Sequence, residues 1–479
     1  MAESLKKKTK KGLYWKFAEK FSEQGIQFIV GIFMARMLSP SDYGITALPA
    51  VFMMVAGILV NSGFKDALIR KPDLKDEDLS TAFVYSAGVG LFCYLTLFFA
   101  SPWIADFYNT PVLKPLMRVT ALNFLYMPIG TPQMILLKRD LNFKLIAKIT
   151  VAIKILTGIM GIVFAFVGWG VWALVTPSLI GGVITQIILV MKVRWKPSLK
   201  WSKESFKYLW NFGNKTMASS LINAVYGNIT PIIVGKYYST AQLGTYTRAT
   251  HYANLPSTYI YGVVREVSFP VLSKMQGDTK KMIANYSRMI RLSAFVCFPM
   301  MVVMSALARP LIILLVTAKW ESCIILLQLI CFSKMWYPIH ALNLNILLVV
   351  GRTDLSLKLE VIKKVVSLVF MCCFLPFGLV AFCAAGIFSN MLHLFINTWY
   401  TGKLYGYGFH KQIKDLLPTL GLCAVMYLAI IGANDFINNL WLQLMVGIVI
   451  AATIYIGGSI LFKLPEWKDA KYFINIRKK

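Results

Sequence analysis

Residues 32–44 read IFMARMLSPSDYG, and residues 232–244 read IIVGKYYSTAQLG. Laid one over the other, they put Arg36 on Lys236, Ser39 on Ser239 and Gly44 on Gly244. The correspondence continues in both directions. Upstream, Trp15-Lys16-Phe17-Ala18-Glu19-Lys20 lies over Trp210-Asn211-Phe212-Gly213-Asn214-Lys215. Downstream, Ala100-Ser-Pro-Trp-Ile lies over Ala308-Arg-Pro-Leu-Ile, and Tyr126-Met-Pro-Ile over Trp336-Tyr-Pro-Ile. Finally Asp140-Leu-Asn-Phe-Lys-Leu lies over Asp354-Leu-Ser-Leu-Lys-Leu. The offset drifts in order from 195 (15 to 210) to 214 (140 to 354), as small insertions would produce. Each match is short, but their common order makes an internal repeat.

Composition says what the repeats are made of. Of 479 residues, 57% are hydrophobic and only 15% charged, and the mean hydropathy is +0.63. A soluble domain has about 45–50% apolar and about 25% charged residues. Secreted, fibrous, disordered and DNA-binding classes are excluded, leaving an all-α polytopic membrane protein. A bilayer core needs about 20 helical residues. The uncharged runs Leu79–Ala105, Trp169–Met191 and Leu440–Phe462 each suffice. Val365–Gly402 is too long for one span and is broken at Pro376-Phe377-Gly378. The reading is about fourteen transmembrane helices, at 12–38, 42–64, 79–101, 112–137, 143–166, 169–192, 205–236, 240–264, 283–306, 321–350, 354–376, 378–402, 412–433 and 439–462.

Fifty Lys+Arg against 21 Asp+Glu give a formal charge of +29. In a soluble chain that excess would suggest nucleic acid. Here it follows the topology. With the N-terminus inside, cytoplasmic loops carry Lys65, Arg70, Lys71 and Lys75, then Lys138, Arg139, Lys144 and Lys148, then Lys192, Arg194, Lys196, Lys200 and Lys203. The pattern persists to a tail with Lys471, Arg477, Lys478 and Lys479. The alternate loops 101–111, 166–170, 375–378 and 432–439 hold no Lys or Arg; Lys236, Arg309 and Lys319 are the exceptions. The positive-inside rule therefore puts both termini in the cytoplasm. Six spans per repeat is an even number, so the two copies run parallel about an axis along the membrane normal. The expected parts are an N-terminal lobe at 1–204, a C-terminal lobe at 205–408, and two further helices with the basic tail at 409–479.

No phosphate-binding G-x-x-x-x-G-K-[ST], G-x-S-x-G or H-E-x-x-H occurs, and four scattered histidines offer no metal set. Eight cysteines lie in or beside apolar runs and read as buried thiols. The expectation is no catalysis, no metal and no cofactor. The informative residues are charges inside spans, which cost about 2.5–3.5 kcal/mol each and usually face a cavity or a partner. Lys16, Glu19, Lys20, Glu23 and Gln27 form one helical stripe, and Asn211, Asn214, Lys215, Ser219 and Asn223 form its counterpart. Either the stripe faces a cavity, or Lys16 and Glu23 belong to an ion-pair network at the inner surface. Lys154 and Lys334 lie deeper, with Arg118 and Arg248 in outer halves of their spans. The surplus is positive. A cavity lined by Lys20, Lys154, Lys215, Lys334, Arg118 and Arg248 suits a phosphate or diphosphate. Glu19 and Glu23 are the candidate proton or sodium site.

Leu38-Ser-Pro-Ser-Asp-Tyr-Gly44, Gly63-Phe-Lys-Asp-Ala-Leu-Ile69, Leu243-Gly-Thr-Tyr-Thr-Arg-Ala249, Leu255-Pro256 and Phe269-Pro270 resemble the polysaccharide transporter family of the MOP exporter superfamily, the Wzx-type flippases. The resemblance covers essentially the whole chain. It implies a V-shaped, two-lobe transporter of the bacterial inner membrane that works by alternating access. The implied substrate is an undecaprenyl-diphosphate-linked oligosaccharide for O-antigen, capsule or exopolysaccharide synthesis, with polymerase and chain-length proteins as candidate partners and no nucleic acid. Among the site residues, Arg248 alone carries a family motif around it. An ion-coupled multidrug exporter of the same superfamily shares the fold but should show a midplane acid. A membrane glycan polymerase or ligase should show a large outer loop.

Overall fold

A computed structural model describes residues 2–469; Lys471, Arg477, Lys478 and Lys479 lie outside them. Every regular element among the described residues is helical. The backbone divides into two compact units, 1–244 and 245–479.

The first unit holds α1 (Ala2–Met37), α2 (Pro40–Ala47), α3 (Ala50–Asn61), α4 (Phe64–Arg70), α5 (Asp76–Phe107) and α6 (Leu113–Ala121). It continues with α7 (Asn123–Arg139), α8 (Phe143–Phe166), α9 (Trp172–Lys192), α10 (Lys203–Gly227) and α11 (Ile229–Tyr237). Helix α12 (Thr240–Ser273) starts in the first unit and runs into the second. The second unit continues with α13 (Thr279–Ala306), α14 (Ala308–Val316), α15 (Cys323–Lys334), α16 (Tyr337–Val349), α17 (Thr353–Phe374), α18 (Gly378–Tyr405), α19 (Phe409–Asp435) and α20 (Leu440–Leu461).

Ten segments among the described residues are long and apolar enough to cross a membrane. Thr353–Tyr405 is one of them and contains both α17 and α18. Helices α1, α6–α7 and α12, which carry the first, fourth and eighth expected spans, are not in that set. Outward faces are apolar stripes at helical spacing: Phe92, Leu95, Phe99 and Trp103 on α5, and Leu357, Val361, Val365 and Val369 on α17, are all exposed.

Local chemistry repeats along with the sequence. Ser39 caps α2: Asp42 N–H donates to Ser39 Oγ at 3.2 Å, and Ser39 N–H donates to Asp42 Oδ2 at 2.9 Å. Two hundred residues later Gln242 N–H donates to Ser239 Oγ at 3.2 Å, and Ser239 N–H to Gln242 Oε1 at 3.1 Å. The same reciprocal cap opens α12. Between α3 and α4 the chain turns through Ser62 (φ 42°) and Gly63 (φ 70°), left-handed positions that favour glycine.

In the first unit α1 packs on α8, with Gly158 and Gly161 receiving Val30 and Met34. Helix α10 packs on α3, α4 and α5. It belongs to the second copy by sequence and to the first unit by contact. Loops read as cytoplasmic meet each other here. Arg139 donates to the carbonyl oxygens of Leu68 (2.9 Å) and Pro72 (3.0 Å), and Ser202 N–H donates to Thr81 Oγ1 at 3.0 Å. Lys236, an exception to the expected charge pattern, has a local reason. Its ammonium sits 4.2 Å from the centre of the Phe107 ring and donates to the Phe107 carbonyl oxygen at 2.6 Å.

In the second unit α13 is central and touches α15, α16, α19 and α20. Tyr286 hydroxyl donates to Asn343 Oδ1 at 2.7 Å, and Gln412 joins both to close a buried triangle. In the first half of α13, Arg291 donates to Glu466 Oε1 at 2.8 Å and Asp415 Oδ2 at 3.1 Å. Six cysteines are buried, but Cys372 and Cys373 are exposed on α17. That differs from the all-buried expectation because both lie in the last turn of a helix with an outward apolar face.

Candidate functional site

The α1 stripe survives folding, but with different partners from those the spacing suggested. Lys16 pairs with Glu19 at 3.0 Å, and Glu19 is only 6% exposed. Glu23 reaches across to α8 and pairs with Lys154 at 3.3 Å, with both side chains about two-fifths exposed (35% and 41%). Two expected site residues, Glu23 and Lys154, are therefore brought together. Lys20 stays exposed beside them on α1, and Lys215 is exposed on α10. Both acids in the stripe are occupied by lysines. Arg118 lies elsewhere in the first unit: its guanidinium sits 4.1 Å from the centre of the Phe98 ring and donates to Ser101 Oγ at 3.0 Å.

Loop lysines that the sequence assigned to topology add to this set. Lys138, just past the 112–137 span, lies beside Lys65 at the start of α4, near Lys16 and Asp66. Its ammonium is held below the usual lysine value, to about 8, first by burial and then by the neighbouring lysines. Three cations thus gather from α1, α4 and α7, with Asp66 nearby and Glu19 paired to Lys16.

In the second unit Arg248 is 7% exposed. Its guanidinium donates to the Tyr252 hydroxyl at 3.0 Å and lies 4.8 Å from the centre of that ring. Lys334 is half-buried at the end of α15, its ammonium 5.1 Å from the Tyr337 ring. The two share a unit, but each rests on an aromatic ring of its own. Among the described residues no group of three or more His, Cys, Asp or Glu is placed to hold a metal.

Residues 33–325 match the family described as polysaccharide biosynthesis protein. The teichuronic acid biosynthesis protein TuaB of Bacillus subtilis (strain 168) is 24% identical over 363 residues, 74% of either chain. The lipopolysaccharide biosynthesis protein WzxC of Escherichia coli (strain K12) is 23% identical over 366 residues, 75% of this chain and 74% of its own. Among solved structures, lipid II flippase MurJ in an inward closed conformation superposes with a TM-score of 0.72 at 17% identity, covering 94% of this chain and 98% of that one. An inward-facing multidrug resistance MATE transporter of the MOP superfamily gives 0.61 at 15% identity, over 80% and 95%. The fold is that of these polytopic helical transporters. With ten segments among the described residues long and apolar enough to cross a membrane, the chain is a multi-pass membrane protein of this fold. With 33–325 covering well over half its length, the chain belongs to the polysaccharide biosynthesis protein family.

Proposed function

We propose that this transporter flips a polyprenyl-diphosphate-linked oligosaccharide across the bacterial plasma membrane, from the cytoplasmic side outward, for surface polysaccharide synthesis. The head group crosses by alternating access while the polyprenyl tail stays in lipid. Both termini lie in the cytoplasm, and the two sequence repeats are the two halves of the machine.

The observation that carries this reading is the gathering of Lys16, Lys65 and Lys138, three cations against two carboxylates, Asp66 and the Glu19 that pairs with Lys16. Lysines crowded in this way repel one another and lose hydration, and a dianionic ligand relieves both costs. A cationic drug would gain nothing there. Glu19 and Glu23, the acids such a drug would need, are already paired with Lys16 and Lys154. A diphosphate entering from the cytoplasmic loops meets this cluster first. Lys20, Lys154 and Lys215 offer further cations in the first unit, as do Arg248 and Lys334 in the second.

Reconstitution tests the reading. The purified chain in proteoliposomes should translocate a fluorescent polyprenyl-diphosphate oligosaccharide, and Lys65→Ala with Lys138→Ala should slow it at least tenfold without lowering reconstituted protein. Translocation of cationic dyes in place of the glycan lipid would overturn it.

A further inference from the structure

Where α9 ends, residues 192–203 read KVRWKPSLKWSK, with five cations and no carboxylate. In the first unit this segment is tied down at two points. Gln133 Nε2 on α7 donates to the Trp195 carbonyl oxygen at 3.3 Å, and Ser202 N–H donates to Thr81 Oγ1 on α5. Between the two ties the chain passes the first turns of α5 and leaves a cavity of about 410 Å³. Arg194, Lys196 and Lys200 stand in its wall. None of the three is in an ion pair among the described residues. Leu74, Leu79, Leu136 and Trp195 supply an apolar side.

The cavity also holds an unanswered hydroxyl. Ser80 lines it and is 1% exposed, yet Ser80 Oγ has no hydrogen-bond partner among the described residues. Buried polar atoms without partners are rare, and each calls for a reason. The positive-inside rule explains five basic residues after a span. It does not explain a recess built around three of them, or a buried hydroxyl in its wall. The acids nearby leave the surplus standing. Asp78 is occupied, accepting from Lys71 Nζ at 2.7 Å and from the Lys75 N–H at 3.0 Å. Asp76 is then the one carboxylate in the wall, against three cations.

We propose that this cavity seats the phosphate headgroup of an anionic phospholipid from the leaflet that the loop faces. The phosphodiester oxygens accept hydrogen bonds from Arg194, Lys196 and Lys200 and from the Ser80 hydroxyl. Basic clusters directly after a span are where anionic headgroups collect. Two features favour a lipid over a free phosphate. One is the apolar side of the cavity. The other is Leu199 and Trp201 on the same loop, 84% and 47% exposed, which suit the boundary between headgroups and acyl chains. At about 410 Å³ the recess is near the lower end of ligand pockets, with room for a phosphoglycerol head and none for an oligosaccharide. Lys16, Lys65 and Lys138 are not in its wall, so the site does not rest on the transport reading. A lipid held here fastens the segment that joins the first sequence repeat to the second.

Calorimetry tests the proposal. Full-length protein in a neutral detergent is titrated with dioctanoyl phosphatidylglycerol, dioctanoyl phosphatidylcholine and glycerol phosphate. The anionic lipid should bind at one site per chain, at least tenfold more tightly than either of the others. Arg194→Gln with Lys196→Gln should weaken it at least tenfold. Lys192→Gln with Lys203→Gln removes the same charge from the same loop outside the cavity and should leave binding within twofold. Equal loss in the two double variants would mean diffuse surface charge and would overturn the site. Ser80→Ala leaves the charge of the loop intact and should weaken binding severalfold. Full binding by Ser80→Ala would overturn the site even where a double variant fails to fold. Glycerol phosphate binding as tightly as the lipid would make the ligand a soluble phosphate. A short-chain prenyl diphosphate binding more tightly than phosphatidylglycerol would make the cavity an entry point for a transported lipid. Either result overturns the phospholipid assignment.

Discussion

Gly44 and Gly244 hold matching places in the two repeats, and each lies where a Cβ would overlap the backbone of the other copy. A Cβ on Gly44 would strike the Thr240 carbonyl oxygen, and one on Gly244 would strike that of Pro40. Ser41 Oγ and Thr240 Oγ1 stand 2.7 Å apart beside them. The contact is reciprocal, as expected where duplicated segments meet about a common axis.

The first prediction follows from that overlap. Gly44→Ala or Gly244→Ala has backbone in its way, and overpacking of this kind costs about 1–3 kcal/mol. Gly25→Ala on α1 meets nothing within 4 Å and should raise stability slightly by better helix propensity. Thermal unfolding of purified protein, followed by loss of the monodisperse peak, should separate the two groups.

Lys154 and Glu23 can be told apart by a charge swap. Lys154→Ala should keep membrane expression and abolish surface-glycan export. If Lys154 served only to neutralise Glu23, Glu23→Lys with Lys154→Glu would restore both. The expected result is normal protein level with export still lost, measured by immunoblot and glycan staining.

Arg248 gives a different signature. Burial against Tyr252 makes its planar fork matter, so Arg248→Lys should retain charge and still be partly defective. Arg248→Ala should abolish export with protein still in the membrane. A fall in protein level matching the fall in export would assign Arg248 to folding.

Lys138 sets a pH dependence. Its ammonium is held down to about 8, whereas an ordinary lysine keeps its proton to about 10.4. Anion binding needs the protonated form, so affinity is full below pH 8 and falls as pH rises through it. Lys138→Arg should flatten that fall. Equilibrium binding of a soluble short-chain prenyl diphosphate between pH 7 and 9.5 is the measurement.

Topology can be mapped by residue accessibility. Reporters at Asn109, Trp169, Phe377 and Asn434 should read outside, and those at Lys75, Lys200, Asp278 and Lys411 inside. Two adjacent reversals would break the fourteen-span reading.

Composition, helical class and the repeat are legible because each leaves a local mark. The cap at Ser39–Asp42 and its copy at Ser239–Gln242 show what those matches encode: the same hydrogen bonds are made with different acceptors. Pairings between helices are not legible. Nothing in spacing ties Glu23 to Lys154, 131 residues apart (154 − 23), so Lys16 and Glu23 look like natural partners along one face. Lys65 and Lys138 are hidden because a loop lysine that positions a helix and one that binds an anion look alike in sequence. His340 and His393 are hidden for another reason: only the packing of α16 on α18 makes them neighbours.

The bonds from Arg291 to Asp415 and Glu466 have a practical consequence for anyone handling this protein. They make the residues just after α20 a latch on the second unit, not a dispensable tail. A deletion that stops at Leu464 removes Glu466, and with it Asp469, the partner of Arg288. It leaves two guanidinium groups short of carboxylates in the first half of α13. Affinity tags and fluorescent fusions belong beyond Asp469, and a chain trimmed before Glu466 would be unstable for reasons unrelated to transport.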